Sequence, residues 1–498
     1  MNNPSYLPND PEQLKTAFLA LRSENAELRL LVEYLQKKSF RRTSEAYVGM
    51  QPLFVADKVE SSIPETEPAK SPRPKSEGDK KPVRKALPAD MPRHAIQHVL
   101  SDGQLKCTCG GEMHQISSEV LEQLDIIPAS VKVLRHERAK YACRSCESVI
   151  KTAPMPIQPI PKSLASPATL AHIAVAKYAD HLPLYRQEEL WERLGVSLDR
   201  GTMATWMIRC GELVRPIINL MRDDMVKDGV VHCDESTIRV LDKKPKDKKS
   251  SPVGQMWVLS RSGPGPQSHI FTYDPSRSGK VAAELLDGFK GVVVTDGFGG
   301  YRRLSKSGMT RAGCWAHVRR KFFEATEKEK DSALGGVAHK MLRQIQRLYR
   351  VERLITDADA ERRLLVRQRI SRRIVRRIES LLDEWIGRVP ARGATGSGLG
   401  YLRSEWEALQ VFLRDERVPI DNNRVENAIR PLALGRKNWL FAATSSGADA
   451  SANIYSLIQT AVANGIEPQA YLAHVFSALP NAVTADDVAK LLPYPDQH

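Results

Sequence analysis

The sequence predicts a multidomain protein built around a mixed α/β sheet, and three observations carry that reading. Four short β-branched runs, GVVHCDES, QMWVLSR, HIFTYD and GVVVTDG, follow one another between residues 229 and 297, bounded by Gly, Pro or Ser. Apolar residues at helical spacing precede and follow them. With 498 residues, 42% of them hydrophobic, the chain is long enough for roughly three or four domains at about 150 residues each. The runs are nearly continuous in apolar residues, so the sheet is expected to be covered on both faces. KVAAELLDGF, between the third and fourth runs, reads as a helix.

In chain order, the first element is a helix over residues 11–46. Leu14, Leu21, Leu28 and Leu35 recur at every seventh position, and Phe18, Asn25 and Val32 take the a positions between them. This is a leucine-zipper register, in which a lone Asn at a specifies two strands at a cost in stability. The alternative is a single amphipathic helix packed on its own chain. Residues 57–92 hold Pro at 64, 68, 72, 74, 82, 88 and 92 among Ser, Glu and Lys, and are expected to form a disordered linker. A cysteine-bearing segment spans 93–152, and Pro154, Pro156, Pro159 and Pro161 mark its end. Residues 163–225 read as helices opened by Ser166-Pro167, a cap followed by a first-turn proline. Inside them, two helices joined by a turn at 195–197 either present Thr202, Thr205 and Arg209 to a DNA groove or form plain core packing. The sheet and its helices occupy 226–440, with a helical insertion at about 330–390, and helices close the chain over 441–498.

Lys plus Arg number 74 against 59 Asp plus Glu, a net charge of +15 that suits a polyanionic partner. Residues 341–380 alone carry 12 Arg against 5 acidic residues, nearly half of that excess. Arg372, Arg373, Arg376 and Arg377 in this stretch are expected to contact phosphates; the alternative is an ordinary solvated helix face. No apolar run approaches the roughly 18 residues of a spanning helix, and the opening residues lack a basic stretch followed by an apolar one. Neither membrane insertion nor secretion is expected. Seven Cys, four of them in two close pairs, fit a reducing cytosol and a metal site better than a disulfide framework.

Cys107 and Cys109 form a C-x-C pair, and Cys143 and Cys146 a C-x-x-C pair. Four thiolates on two tight turns suit one closed tetrahedral zinc, which holds a fold together and performs no catalysis. Free buried cysteines, or His114 replacing one thiolate, are the alternatives. Asp234 and Asp296 each stand where an apolar strand runs out, and an acid there is costly to desolvate unless a cation compensates it. Glu426 lies in PIDNNRVENAIRPLALGRKNW, on a short helix that Asp421 is expected to cap and Pro431 to interrupt. If the strands of Asp234 and Asp296 are neighbours and this helix crosses their ends, the three carboxylates can hold two Mg²⁺ about 3.5–4 Å apart for phosphoryl transfer. Arg430, one turn beyond Glu426, falls on the same helix face, where it can meet a phosphate. His232 and Cys233 stay outside this set, because strand alternation points Cys233 away from the Asp234 side.

CGG followed by YACRSC, then KYADHLPLYRQ, CDES, VVTDGFGGY, GCWAHVRRKFFEA, DNNRVENAIRPLALGRKNWLF and YSLIQTAVANGIEPQAYL occur in that order behind the zipper. On these strings the chain resembles the bacterial insertion sequence 66 transposases over nearly its whole length. The resemblance implies an RNase H-like catalytic core of the DDE type, with Asp234, Asp296 and Glu426 falling on the acidic triad. It also implies Mg²⁺-dependent cleavage at terminal inverted repeats and joining of the freed 3′ hydroxyls to target DNA. The C-x-C pair departs from that family's more frequent C-x-x-C. Intervals of 62 and 130 residues between the acids put the Arg-rich helical insertion between the second and third. The partners expected are terminal-repeat and target DNA, a second copy of the chain through the zipper, and helper proteins from the same element, in the bacterial cytoplasm at the nucleoid. The rivals are a non-catalytic, zinc- and zipper-containing DNA-binding regulator and an RNase H-fold nuclease that cuts without joining. A regulator has no use for three convergent acids; the nuclease keeps them and loses the joining step.

Overall fold

The computed structural model describes residues 93–97, 130–142, 150–242, 253–263, 265–328 and 333–495, with scattered positions from 115 to 124. The zipper residues Leu14, Leu21, Asn25, Leu28 and Leu35, the 57–92 linker and the four paired cysteines lie outside the described residues. The chain divides into two compact units, and the larger carries every helix and strand of the described residues. Among the described residues, its first element is a short antiparallel ladder of β1 (Lys140–Ala142) and β2 (Ile150–Thr152).

Four helices follow: α1 (Pro167–Tyr178), α2 (Leu184–Arg193), α3 (Arg200–Leu213) and α4 (Arg215–Val226). Ser166 caps α1 by accepting the Thr169 N–H, with Pro167 in the first turn where its missing donor costs nothing. Asp199 caps α3 through the N–H groups of Gly201 and Thr202. Met203, Trp206, Met207 and Cys210 bury one side of α3, and Thr202, Thr205 and Arg209 occupy its exposed side.

The sheet is formed by β3 (Val230–Arg239), β4 (Val253–Arg261), β5 (His269–Asp274), β6 (Val292–Val294) and β7 (Thr310–Ala312), in the order β5-β4-β3-β6-β7. The first three are antiparallel neighbours, whereas β6 and β7 join in parallel after α5 (Gly279–Leu285). Side chains alternate between two cores. Val230, Val292 and Val294 enter one, and Val231, Cys233 and Val293 the other. The first core is filled by α6 (Trp315–Lys328), by the insertion helices α7 (Ala333–Leu354), α8 (Ala360–Val366) and α9 (Arg372–Trp385), and by α10 (Ala394–Ser404), through Trp315, Phe322, Ile345, Ile378 and Leu402 among others. A four-residue helix, α11 (Trp406–Leu409), leads toward α12 (Asn423–Trp439).

The second core joins α1, α3 and α4 to the sheet and to α13 (Ser445–Ala463) and α14 (Pro468–Ala478), with α15 (Ala485–Ala489) beyond. Residues 163–225 and the C-terminal helices therefore share one core with the sheet. Gly211 of α3 makes this possible, since a Cβ there would lie 2.5 Å from Ala450 Cα.

Contrary to expectation, Pro431 does not interrupt the Glu426 helix, because α12 runs through it for 17 residues. The amide donor that proline lacks would have served the carbonyl of Asn427, an exposed residue where water can replace it. The cap position is Asn422, while Asp421 accepts from the backbone and side-chain amides of Asn423. No helix among the described residues is long and apolar enough to cross a membrane.

The Arg-rich stretch divides by face. A single turn of π-helix, Arg367–Ser371, joins α8 to α9 and turns Arg367 inward, while Arg372, Arg373, Arg376 and Arg377 stay exposed. Arg367 pairs with Glu352 at 2.7 and 3.0 Å and aims Nη1 at the carbonyls of Phe412, Asp415, Glu416 and Val418. A buried guanidinium thus organises the loop that feeds α12, and Arg367 has no part in the exposed basic face. Arg367→Met should lower stability by about 3–5 kcal/mol in chemical denaturation, because it strands a mostly buried carboxylate. Adding Glu352→Leu should restore most of the loss.

Candidate active site

Strand register sets the first two acids side by side. Parallel pairing sets Val231 beside Val293 and His232 beside Val294, so Asp234 and Asp296 come at equivalent positions two residues further along adjacent strands. The Asp234 carboxylate accepts the Glu235 N–H at 2.8 Å, and that of Asp296 accepts the Phe298 N–H at 2.9 Å. Gly297 follows Asp296 where a Cβ would strike the Tyr401 ring at 2.5 Å, which keeps this turn free of side chain. Arg311 of β7 donates to the Asp296 carbonyl at 3.1 Å and pairs with the buried Glu405 at 2.6 Å. Glu405 is thereby committed to holding the Asp296 turn.

Glu426 arrives on the first turn of α12, and Asn422 ties that turn to β3. Its side-chain amide is fully buried, donating to the Cys233 carbonyl at 3.1 Å and accepting from His232 Nδ1 at 2.8 Å. The backbone N–H of Asn422 donates to Cys314 Sγ at 3.2 Å. Around Trp315, the Gly313 and Trp315 N–H groups bind the Ala408 and Ile420 carbonyls, which fastens the start of α6 to the approach of α12.

Burial raises the Asp234 carboxyl well above the usual range, and the charges of Asp296, Glu235 and Glu426 add to the effect. Acids from β3, from the end of β6 and from α12 therefore act on one carboxyl. Asp296 is also raised by burial, against the Phe298 N–H and the charges of Arg277 and Arg311. Glu235 points to the other side of β3, where Tyr301 Oη donates to it and Arg277 pairs with it at 2.7 Å. Arg277 also lies over the Phe298 ring, 4.3 Å from its centre. Glu426 has His317 at 3.7 Å and Arg320 at 3.8 Å, and its Oε1 is buried without a hydrogen-bond partner. Asp234, Asp296 and Glu426 offer oxygen ligands alone, a set that fits hard divalent cations. Arg430 is exposed one turn further along α12.

The sequence model of the Transposase IS66 family matches residues 162–450, more than half of the chain and all three acids. The chain belongs to the IS66 transposase family. The model of the zinc-finger binding domain of transposase IS66 matches residues 104–147, and the IS66 C-terminal element matches 456–494. Two uncharacterized proteins of Sinorhizobium fredii, y4jD and y4qI, are each 30% identical to this transposase, over 98% and 97% of its length and 96% and 91% of theirs. A third, y4hP, is 30% identical over 80% of this chain and 74% of its own. A solved chain titled Drosophila P element transposase strand transfer complex aligns at 12% identity and TM-score 0.31, over 62% of this chain and 94% of that one, too loose a likeness to carry an argument.

Sequence reasoning singles out the three acids, holds Glu405 and Glu407 only as substitutes for the third, and passes over Asn422, Arg311, Cys314 and His317. The DNN and CWAH strings are visible in the sequence, but their roles rest on partners more than 90 residues away. His232 shows the consequence. Burial pushes its imidazole down to about 4, so the folded transposase holds it neutral, while an unfolded histidine takes a proton near 6.5. The stability this adds is whole above pH 6.5 and is lost as pH falls from there to about 4. Asn422→Ala should cost about 2–4 kcal/mol in denaturation experiments, because it leaves the buried His232 Nδ1 and the Cys233 carbonyl unpaired.

Proposed function

We propose that this chain is a DDE-type DNA transposase. It cuts at the terminal inverted repeats of its element and transfers the freed 3′ ends into target DNA. The observation that carries the reading is the parallel register that sets Asp234 beside Asp296, with the Glu426 helix tied to the same strand through Asn422. A sheet of three antiparallel neighbours extended by two parallel strands, with acids at adjacent strand ends, supports an RNase H-like core.

Asp234, Asp296 and Glu426 are the residues that would hold two Mg²⁺. When bound, these ions supply the Lewis acidity that lowers the pKa of water and neutralises charge on the leaving oxygen. The chain's own part is positioning. Backbone N–H groups fix the Asp234 and Asp296 carboxylates, the Arg311–Glu405 pair holds the Asp296 turn, and Asn422 sets where Glu426 stands. The first step hydrolyses a phosphodiester and leaves a 3′ hydroxyl; that hydroxyl then attacks a target phosphodiester, displacing its 3′ oxygen. No covalent bond to the protein is needed. Arg430 and the exposed Arg372, Arg373, Arg376 and Arg377 hold phosphates, and the Thr202, Thr205 and Arg209 face of α3 lies against DNA. Cys107, Cys109, Cys143 and Cys146, all inside the zinc-finger match, hold one structural zinc. The zipper pairs two chains through Leu14, Leu21, Asn25, Leu28 and Leu35.

Asp234→Asn, Asp296→Asn and Glu426→Gln should each abolish Mg²⁺-dependent nicking and joining of a labelled terminal repeat by orders of magnitude. DNA affinity measured in Ca²⁺ should stay close to that of the parent protein. The three losses should not add, since one missing ligand already disables the site. Near-normal joining by Glu426→Gln would assign the third acid elsewhere. Reversing Arg372, Arg373, Arg376 and Arg377 to Glu should weaken binding to all DNA alike and flatten its salt dependence, by roughly 0.9 in log–log slope for each phosphate no longer neutralised. An unchanged slope would make this face ordinary solvated surface.

A further inference from the structure

Beside the acid triad, three side chains of different chemistry converge. Cys314 immediately precedes α6, His317 stands in its first turn, and Glu426 stands in the first turn of α12. A sulfur, an imidazole nitrogen and a carboxylate oxygen from these three lie within 4.8 Å of one another. His317 Nδ1 and Glu426 Oε1 are 3.7 Å apart, too far for a hydrogen bond, and each is buried with no hydrogen-bond partner. Two buried polar atoms left facing each other are costly unless something between them satisfies both. Cys314 is itself buried, and its sulfur accepts the Asn422 N–H, the kind of outer contact that supports a thiolate ligand.

We propose that Cys314, His317 and Glu426 bind one zinc ion, in addition to the ion of the N-terminal finger. A thiolate, an imidazole and a carboxylate form a borderline-soft set that favours zinc, whereas magnesium takes oxygen ligands. At tetrahedral zinc, with bonds of about 2.0–2.3 Å, ligand atoms stand roughly 3.3–3.8 Å apart. The His317–Glu426 pair already meets that spacing. The sulfur closes by at most about 1.5 Å, and its proton leaves to solvent as the zinc–sulfur bond forms. Three protein ligands leave a fourth position for water. Glu426 has two carboxylate oxygens and can serve this ion together with the acid triad. The proposal rests on the transposase reading only for that second duty. Zinc here would join the starts of α6 and α12 and fix the third acid in place.

The test counts zinc in the full-length protein after dialysis against metal-free buffer. Two zinc per chain are expected for the parent, and one for Cys314→Ser and for His317→Gln. Exchange with cobalt(II) should give a thiolate-to-cobalt absorption that weakens in Cys314→Ser. Cooperative thermal unfolding of either variant separates loss of the ion from loss of the fold. Asp234→Asn should keep both zinc ions, so failure of the catalytic reading and failure of this one are distinguishable. A zinc content that neither Cys314→Ser nor His317→Gln lowers below that of the parent would overturn the site.

Discussion

The buried amide of Asn422 is the contact on which the rest of the site depends. A fully buried primary amide must have both its ends paired, and here both pairs are with consecutive residues of β3, His232 and Cys233. The next residue along the strand is Asp234, and one turn along the helix from Asn422 is Glu426. A single side chain therefore sets the first acid against the third, although 192 residues separate them. The amide oxygen requires a proton on His232 Nδ1, and burial, acting against that hydrogen bond, keeps the ring neutral.

Around this clamp the sheet works as a partition. Alternate residues of β3 and β6 feed two separate cores, one made with the helices between β7 and α11 and one with the helices that precede and follow the sheet segment. The insertion is thus packed against the sheet, and its basic charge lies on its outer face. Arg367 is the exception that explains the arrangement. One extra residue in a π-turn rotates it inward, where Glu352 and four carbonyls meet its charge, and the loop it gathers leads directly into the Asn422 turn.

The acids themselves work against folding. Burial raises Asp234 and Asp296, neighbouring acids raise Asp234 further, and Arg277 and Arg311 offset only part of the effect on Asp296. A fold does not gather carboxylates in this way for stability; sites that break local rules do so for function. Membership of the IS66 transposase family, shown by matches running from residue 104 to 494, is in keeping with that tension.

The sequence by itself determined four of the five sheet strands, most of the helices, the strand-end acids and the order of the motifs, because periodicity, caps and β-branching act over a few residues; β7 is only three residues long and left no such signal. Asp234 and Asp296 were legible for that reason: an acid ending an apolar run is a local oddity. The continuation of α12 through Pro431 was not, since a proline's cost depends on whether the carbonyl it orphans reaches water, and only the packed helix settles which residues are exposed. The single core shared by residues 163–225 and the C-terminal helices, the inward turn of Arg367, the commitment of Glu405 to Arg311 and the convergence of Cys314, His317 and Glu426 were likewise decided by tertiary structure. Each depends on groups far apart in the chain, whose desolvation and pairing energies exist only once the two cores have closed around the sheet.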